Sequence, residues 1–239
     1  MMKYINLRNH NIETPRQFYA RLAGFMFLFY IAIGIASMVM FNQATSGAEG
    51  TAAKLASIAR HAPLVRLTAL FGLLTFFVAV ILAVALYVLT RDQDPNLALL
   101  ALCCRVGEGM INAFSAVMTL GLLSVATAST AAAASDSAAA HALGDLLLKQ
   151  DGSSTLISST CFAVGSMLYS YLFLRARSIP LPLAWLGIIA SILLVVAFPL
   201  QIAGFINGNW FIWIPMLVFE VTLGLWLLIK GVAAPTTAT

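Results

Sequence analysis

Charge is scarce in this chain. Lys and Arg number 13 and Asp and Glu 9 among 239 residues, too few to cover a water-soluble globule of this size. Histidine is rarer still, and His10, His61 and His141 all fall outside the long apolar runs. A bis-histidine haem or a histidine-rich zinc centre inside a helical bundle needs imidazoles projecting from the helices, so neither enzyme class is expected. The three cysteines lie toward opposite ends of their runs, Cys103 and Cys104 in the third and Cys161 in the fourth. Those heights do not suit a disulfide, and they read as small buried hydrophobes. Neither a GxxxxGK[ST] loop nor a GxGxxG fingerprint is present, and no stretch leaves room for a soluble catalytic domain. The net charge of +4 fits basic residues at helix ends beside anionic lipid head groups; no nucleic-acid partner is expected.

What the chain has instead is hydrocarbon. Hydrophobic residues make up 61% of it and the mean hydropathy is +0.95. A bilayer core of about 30 Å takes roughly 20 residues of apolar helix. Six runs meet that length: Phe18 to Phe41, Leu64 to Leu89, Leu97 to Ala126, Ser153 to Leu174, Pro182 to Ile206 and Trp210 to Ile229. The first is too long, and lacks the cleavage pattern, for a secretion signal. Lipid cannot hydrogen-bond an open backbone, so such spans must be helical. The expected fold is all-α: a polytopic six-transmembrane-helix bundle. Residues 1–17 would form a cytoplasmic N-terminal segment, 18–230 the membrane domain and 231–239 a disordered cytoplasmic tail.

Orientation follows from the cations. Lys3, Arg8, Arg16, Arg21, Arg91, Arg175, Arg177 and Lys230 share one side, and Lys54, Arg60, Arg66 and Lys149 share the other with Glu49, Asp136, Asp145 and Asp151. The positive-inside bias places both termini in the cytoplasm. Between spans, the first outer loop is expected to hold a short helix from Thr51 to Arg60. The third loop is expected to prolong the third helix through Ala126 to Ala134, with an amphipathic turn around Ala138 to Lys149. Pro199 and Pro215 are expected to bend the fifth and sixth spans, and Trp185, Trp210 and Trp213 read as interface anchors.

Against this background Glu108 and Glu220 stand out, each near the middle of a span. Ala101, Cys104, Arg105, Glu108, Asn112, Ser115 and Thr119 recur at three- and four-residue spacing, so the third span has one polar face. Lipid would reject that face, which must point into the bundle or a water-filled cavity. Arg105 and Glu108 are one turn apart and can pair. At 1.5 Å per residue, Glu108 lies about 16 Å and Glu220 about 15 Å from the cytoplasmic side. One arginine would then face two carboxylates, and low dielectric makes it hard for both to stay ionised. Tyr30, Gly34 and Ser37 share a face of the first span, and Ser159, Ser166, Tyr169 and Ser170 lie on neighbouring faces of the fourth; such groups also serve packing and interhelical hydrogen bonds. Arg60, His61 and Arg66 form an outer basic patch that could receive an anion or a lipid head group, or simply be solvated.

Several segments resemble one family. Arg21-Leu22-Ala23-Gly24, Arg105-Val106-Gly107-Glu108, the Arg175-Ala176-Arg177-Ser178-Ile179-Pro180 turn and the stretch Glu220 to Gly231 are similar to domain of unknown function 4386, a group of bacterial integral membrane proteins. The resemblance runs from about Arg16 to Gly231, by the same order of about 20-residue spans. It implies a bacterial plasma membrane, and it brings no activity, cofactor or catalytic residues.

The leading functional expectation is a protein that binds or transports a small molecule at a midplane polar site between the third and sixth spans. Arg105, Glu108, Asn112, Glu220, Tyr30 and Tyr169 are the ligand- or proton-binding candidates. The alternative is a non-catalytic accessory subunit or membrane scaffold, in which Arg105 and Glu108 merely lock helix packing. An enzyme ranks third, since no nucleophile and base pair is evident. The expected partners are membrane lipid and a small-molecule ligand or a protein within the membrane. No metal site is legible, and the identity of any cofactor is left open.

Overall fold

The computed structural model describes residues 15–131 and 134–233. Its helices are α1 (Pro15–Thr45), α2 (Gly50–Arg60), α3 (Ala62–Thr90), α4 (Pro95–Ala131), α5 (Ala134–Ala176), α6 (Leu181–Ile202) and α7 (Ile214–Ile229), the last led in by a 3-10 turn, Trp210–Trp213. No strand occurs among the described residues. Six of these helices, all except α2 and with the 3-10 turn counted into α7, are long and apolar enough to cross a membrane.

The six spans close into a ring in chain order. α1 packs on α3, α3 on α4, α4 on α5, α5 on α6, α6 on α7, and α7 returns to α1. Short connections make each of the pairs α3/α4, α5/α6 and α6/α7 antiparallel neighbours, as their loop lengths require. The outside of the ring is apolar, with Phe25, Leu70, Phe77, Phe114 and Ile189 exposed, while Arg105, Glu108, Ser170, Ser191 and Glu220 are buried. That is the arrangement expected when the surrounding solvent is hydrocarbon.

At one end, both termini of the described chain are stitched to the interhelical turns. Arg16 pairs with Asp92 at 3.0 Å and its other Nη donates to the Leu89 carbonyl at 3.0 Å. Gln17 Nε2 donates to the Val232 carbonyl at 2.8 Å, and the Ala233 amide donates to the Ser178 carbonyl at 3.0 Å. Arg177 ends α5 in the left-handed region with φ 49°. The Ser178 amide then reaches back to the Phe173 carbonyl at 3.3 Å, a Schellman-type stop that precedes Pro180. At the other end, α4 and α5 outrun the roughly 20 residues a bilayer core requires. There they embrace α2 through a second apolar cluster that includes Leu55, Ile58, Leu122 and Leu123.

Five expectations need adjustment. None of the three cysteines is fully buried: Cys103 is exposed and Cys104 and Cys161 are half-buried. Of the expected disordered tail, 231–239, Val232 is buried and Gln17 and Ser178 hold Val232 and Ala233 to the packed body; the remainder, 234–239, lies outside the described residues, as do the first 14 of the N-terminal segment. Ala138 to Lys149 is no separate turn but belongs to the continuous 43-residue α5, whose Gly144 stays helical and lets Leu55 of α2 pack closely. α6 stops at Ile202, and 203–209 form the connection through Gly204 at φ 77°. Pro215 starts α7 rather than bending it, standing at one of its first two positions, where a missing N–H costs nothing.

α1 and α7 approach closely, backbone against backbone, at Gly24. A Cβ at Gly24 would lie 2.5 Å from the Leu228 nitrogen and 2.6 Å from the Gly224 carbonyl oxygen, and backbone cannot step aside as a side chain can. Gly24→Ala is therefore expected to cost about 1–3 kcal/mol, read as a lower thermal unfolding midpoint in detergent. Gly34→Ala, whose Cβ meets nothing within 4 Å, should leave the midpoint unchanged or raise it, because alanine is the better helix former.

Candidate functional site

The polar face of α4 does turn inward. Ala101, Arg105 and Glu108 are buried, while Cys103, Met110, Phe114 and Val117 are exposed on the opposite face. Arg105 is 1% exposed and Glu108 2%, and Arg105 Nη1 lies 3.0 Å from Glu108 Oε2. The contact is electrostatic rather than a directed hydrogen bond: none of the guanidinium nitrogens makes a well-aligned bond to a described residue. Aromatic faces take up part of the charge. The guanidinium carbon stands 4.9 Å from the Phe162 ring centre and 5.4 Å from that of Tyr30, within the range of cation–π attraction. Gly165 of α5 makes room for the arginine stem, since a Cβ there would approach Arg105 Cγ to 3.2 Å.

A relay of polar side chains links three helices to this pair. Tyr30 of α1 donates its phenolic hydrogen to Glu108 Oε1. Asn112 Nδ2 reaches the Tyr30 hydroxyl at 3.4 Å, and Ser158 of α5 donates to Asn112 Oδ1 at 2.8 Å. Glu220 comes from α7, on the far side of the ring from α4. It is 6% exposed, and its Oε1 has no hydrogen-bond partner among the described residues. The two helices expected to hold the site thus face each other across the ring instead of packing together. Tyr169 of α5 takes a different part: its hydroxyl donates to the Ala83 carbonyl at 3.1 Å, tying α5 to α3.

Two hollows flank the pair. On the side of the termini, a cavity of about 10 Å³ is lined by Arg105, Ser166, Tyr169, Ser170 and Phe219 among others, room for about one water. On the opposite side a groove of about 430 Å³ runs between α1, α3, α4 and α5. Its walls include Ser37, Thr68, Thr75, Asn112, Ser115 and Thr119, and its deep end is Tyr30. Along α1 it reaches from Tyr30 to Asn42, a run of about 18 Å at 1.5 Å per residue.

Residues 22–231 match the family described as Domain of unknown function (DUF4386). The chain belongs to that family. No curated protein and no solved structure matches it. In this DUF4386 protein the outer basic residues form no part of the central cluster. Arg60, His61 and Arg66 are exposed around the α2–α3 junction, and His61 Nδ1 is 2.9 Å from the Ser57 carbonyl, a helix-end contact. The sequence reading overlooked Ser158, Phe162 and Gly165, although with Tyr169 they recur at the spacing of one helix face. It also overlooked Thr68, Gly72 and Thr75, which do the same on α3.

Removing the cation of a buried pair strands its anion. Arg105→Ala should therefore lower stability by about 3–5 kcal/mol, and adding Glu108→Gln to it should recover a good part of the loss, because an amide needs no counter-charge. Unfolding of the two variants in detergent measures both. Equal stability of wild type and Arg105→Ala would mean that the ion pair contributes nothing to the fold.

Proposed function

We propose that this protein binds a small molecule in the outer groove and moves it through the ring, with the Tyr30–Glu108–Arg105 cluster and Glu220 as the polar centre it must engage. The observation that carries the reading is the continuity of a groove of about 430 Å³, in which several hydroxyl side chains interrupt an apolar lining, with a buried ion pair at the middle of an apolar ring. Membrane-buried ionisable groups are costly and are characteristically used. A groove of this volume is also in the range of ligand sites, about 300–1,000 Å³. On the positive-inside bias the groove opens away from the cytoplasm of a bacterial plasma membrane, with both termini cytoplasmic.

The scaffold reading has its own support, because Tyr30, Asn112, Ser158 and Arg105 tie α1, α4 and α5 together and would do so in a protein with no ligand. Gly34 separates the two readings. It lines the groove, and a Cβ added there meets no atom within 4 Å, so Gly34→Leu starts its side chain in open space and extends it into the groove. Mass spectrometry of both forms purified gently from membranes is expected to find a small molecule retained by the wild type and lost from Gly34→Leu. An identical set of retained molecules, or none in either, would put the scaffold reading ahead.

A further inference from the structure

The walls of the groove have already given away many of their hydrogens. Thr68 donates to the Leu64 carbonyl at 3.0 Å, Thr75 to that of Phe71 at 2.8 Å and Thr119 to that of Ser115 at 3.0 Å. At the floor Tyr30 donates to Glu108, and the Asn112 amide nitrogen points to the Tyr30 hydroxyl. A hydroxyl that has spent its hydrogen keeps oxygen lone pairs, so these groups offer acceptors to anything entering the groove. At these positions a carboxylate, phosphate or carbonyl would meet lone pair against lone pair, whereas an N–H donor would find partners; Ser37, Ser115 and the Asn42 amide keep hydrogens elsewhere on the wall.

Charge points the same way. Among the described residues that line the groove there is no Lys, Arg or His to hold an anion by charge. Behind the floor, the guanidinium of Arg105 lies 3.0 Å from the Glu108 carboxylate, and α7 adds a second buried carboxyl group, Glu220. Phe41 and Met38 supply apolar surface suited to an alkyl portion. A bare divalent ion would instead require about six oxygen ligands in a closed shell.

We propose that the groove takes a small organic cation of the alkylammonium class, with its N–H groups on the hydroxyl oxygens near Tyr30 and its carbon chain toward Phe41. The proposal rests on the small-molecule reading above and names the class of molecule that reading leaves open. Its test uses three probes of nearly equal size, butylammonium, butanol and butyrate, titrated separately against the full-length protein in detergent. The readout is the rise in unfolding midpoint with probe concentration, which reports binding to the folded state. Butylammonium should stabilise the wild type saturably, and Gly34→Leu should weaken its apparent affinity by at least about tenfold, a difference of about 1.4 kcal/mol. Saturable stabilisation by butanol or butyrate as strong or stronger, and lost in Gly34→Leu, would overturn the cation assignment while the small-molecule reading stood. Saturation by none of the three would overturn both.

Discussion

A guanidinium held at the middle of an apolar bundle constrains everything around it. Arg105 cannot shed its charge and is only 1% exposed, so Glu108 one turn on must answer it, at 3.0 Å. Glu108 in turn needs a donor for its second oxygen, which Tyr30 supplies from another helix. The arginine stem requires a helix face without a side chain, and Gly165 provides it. Phe162 and Tyr30 cover the charge on either side with ring faces. One residue on α4 therefore specifies what α1 and α5 must place at the same height, and the ring is the arrangement that lets them do so.

Much of this was legible in the sequence for simple physical reasons. Span number follows from the thickness of hydrocarbon, and the polar stripe from Arg105 to Thr119 follows from helical periodicity. The Arg105–Glu108 contact needed only their separation of three residues. What periodicity could not supply was which helix stands beside which. The sequence placed Glu108 and Glu220 at similar depth, and the closed ring then sets their helices on opposite sides, with α1, α3, α5 and α6 between them. Ser158 escaped notice for the same reason: one serine among many acquires meaning only from Asn112 across the helix boundary. Proline was read too uniformly, since Pro199 lies within α6 and Pro215 in the first turn of α7.

The groove and the ion pair gain their meaning together. A buried pair alone would suit a structural clamp, and a polar groove alone would suit a gap between loosely packed spans. They meet at Tyr30, which lines the groove and donates to Glu108. The cavity of about 10 Å³ beyond Arg105 is too small to continue the groove for anything larger than about one water. Passage of a ligand would thus require the ring to open on the side of the termini, where Arg16, Asp92, Gln17 and Val232 hold it closed.

The central claim is that water reaches the polar centre along the groove from the side opposite the termini. The direct measurement is cysteine accessibility, in a background where Cys103, Cys104 and Cys161 are replaced by alanine. A membrane-impermeant thiol reagent added from that side should modify Ser115→Cys, which lines the groove. It should spare Phe114→Cys, one residue away on the exposed apolar face and embedded in lipid. Equal reactivity of the two positions, or modification of Ser115→Cys only from the side of the termini, would contradict the account.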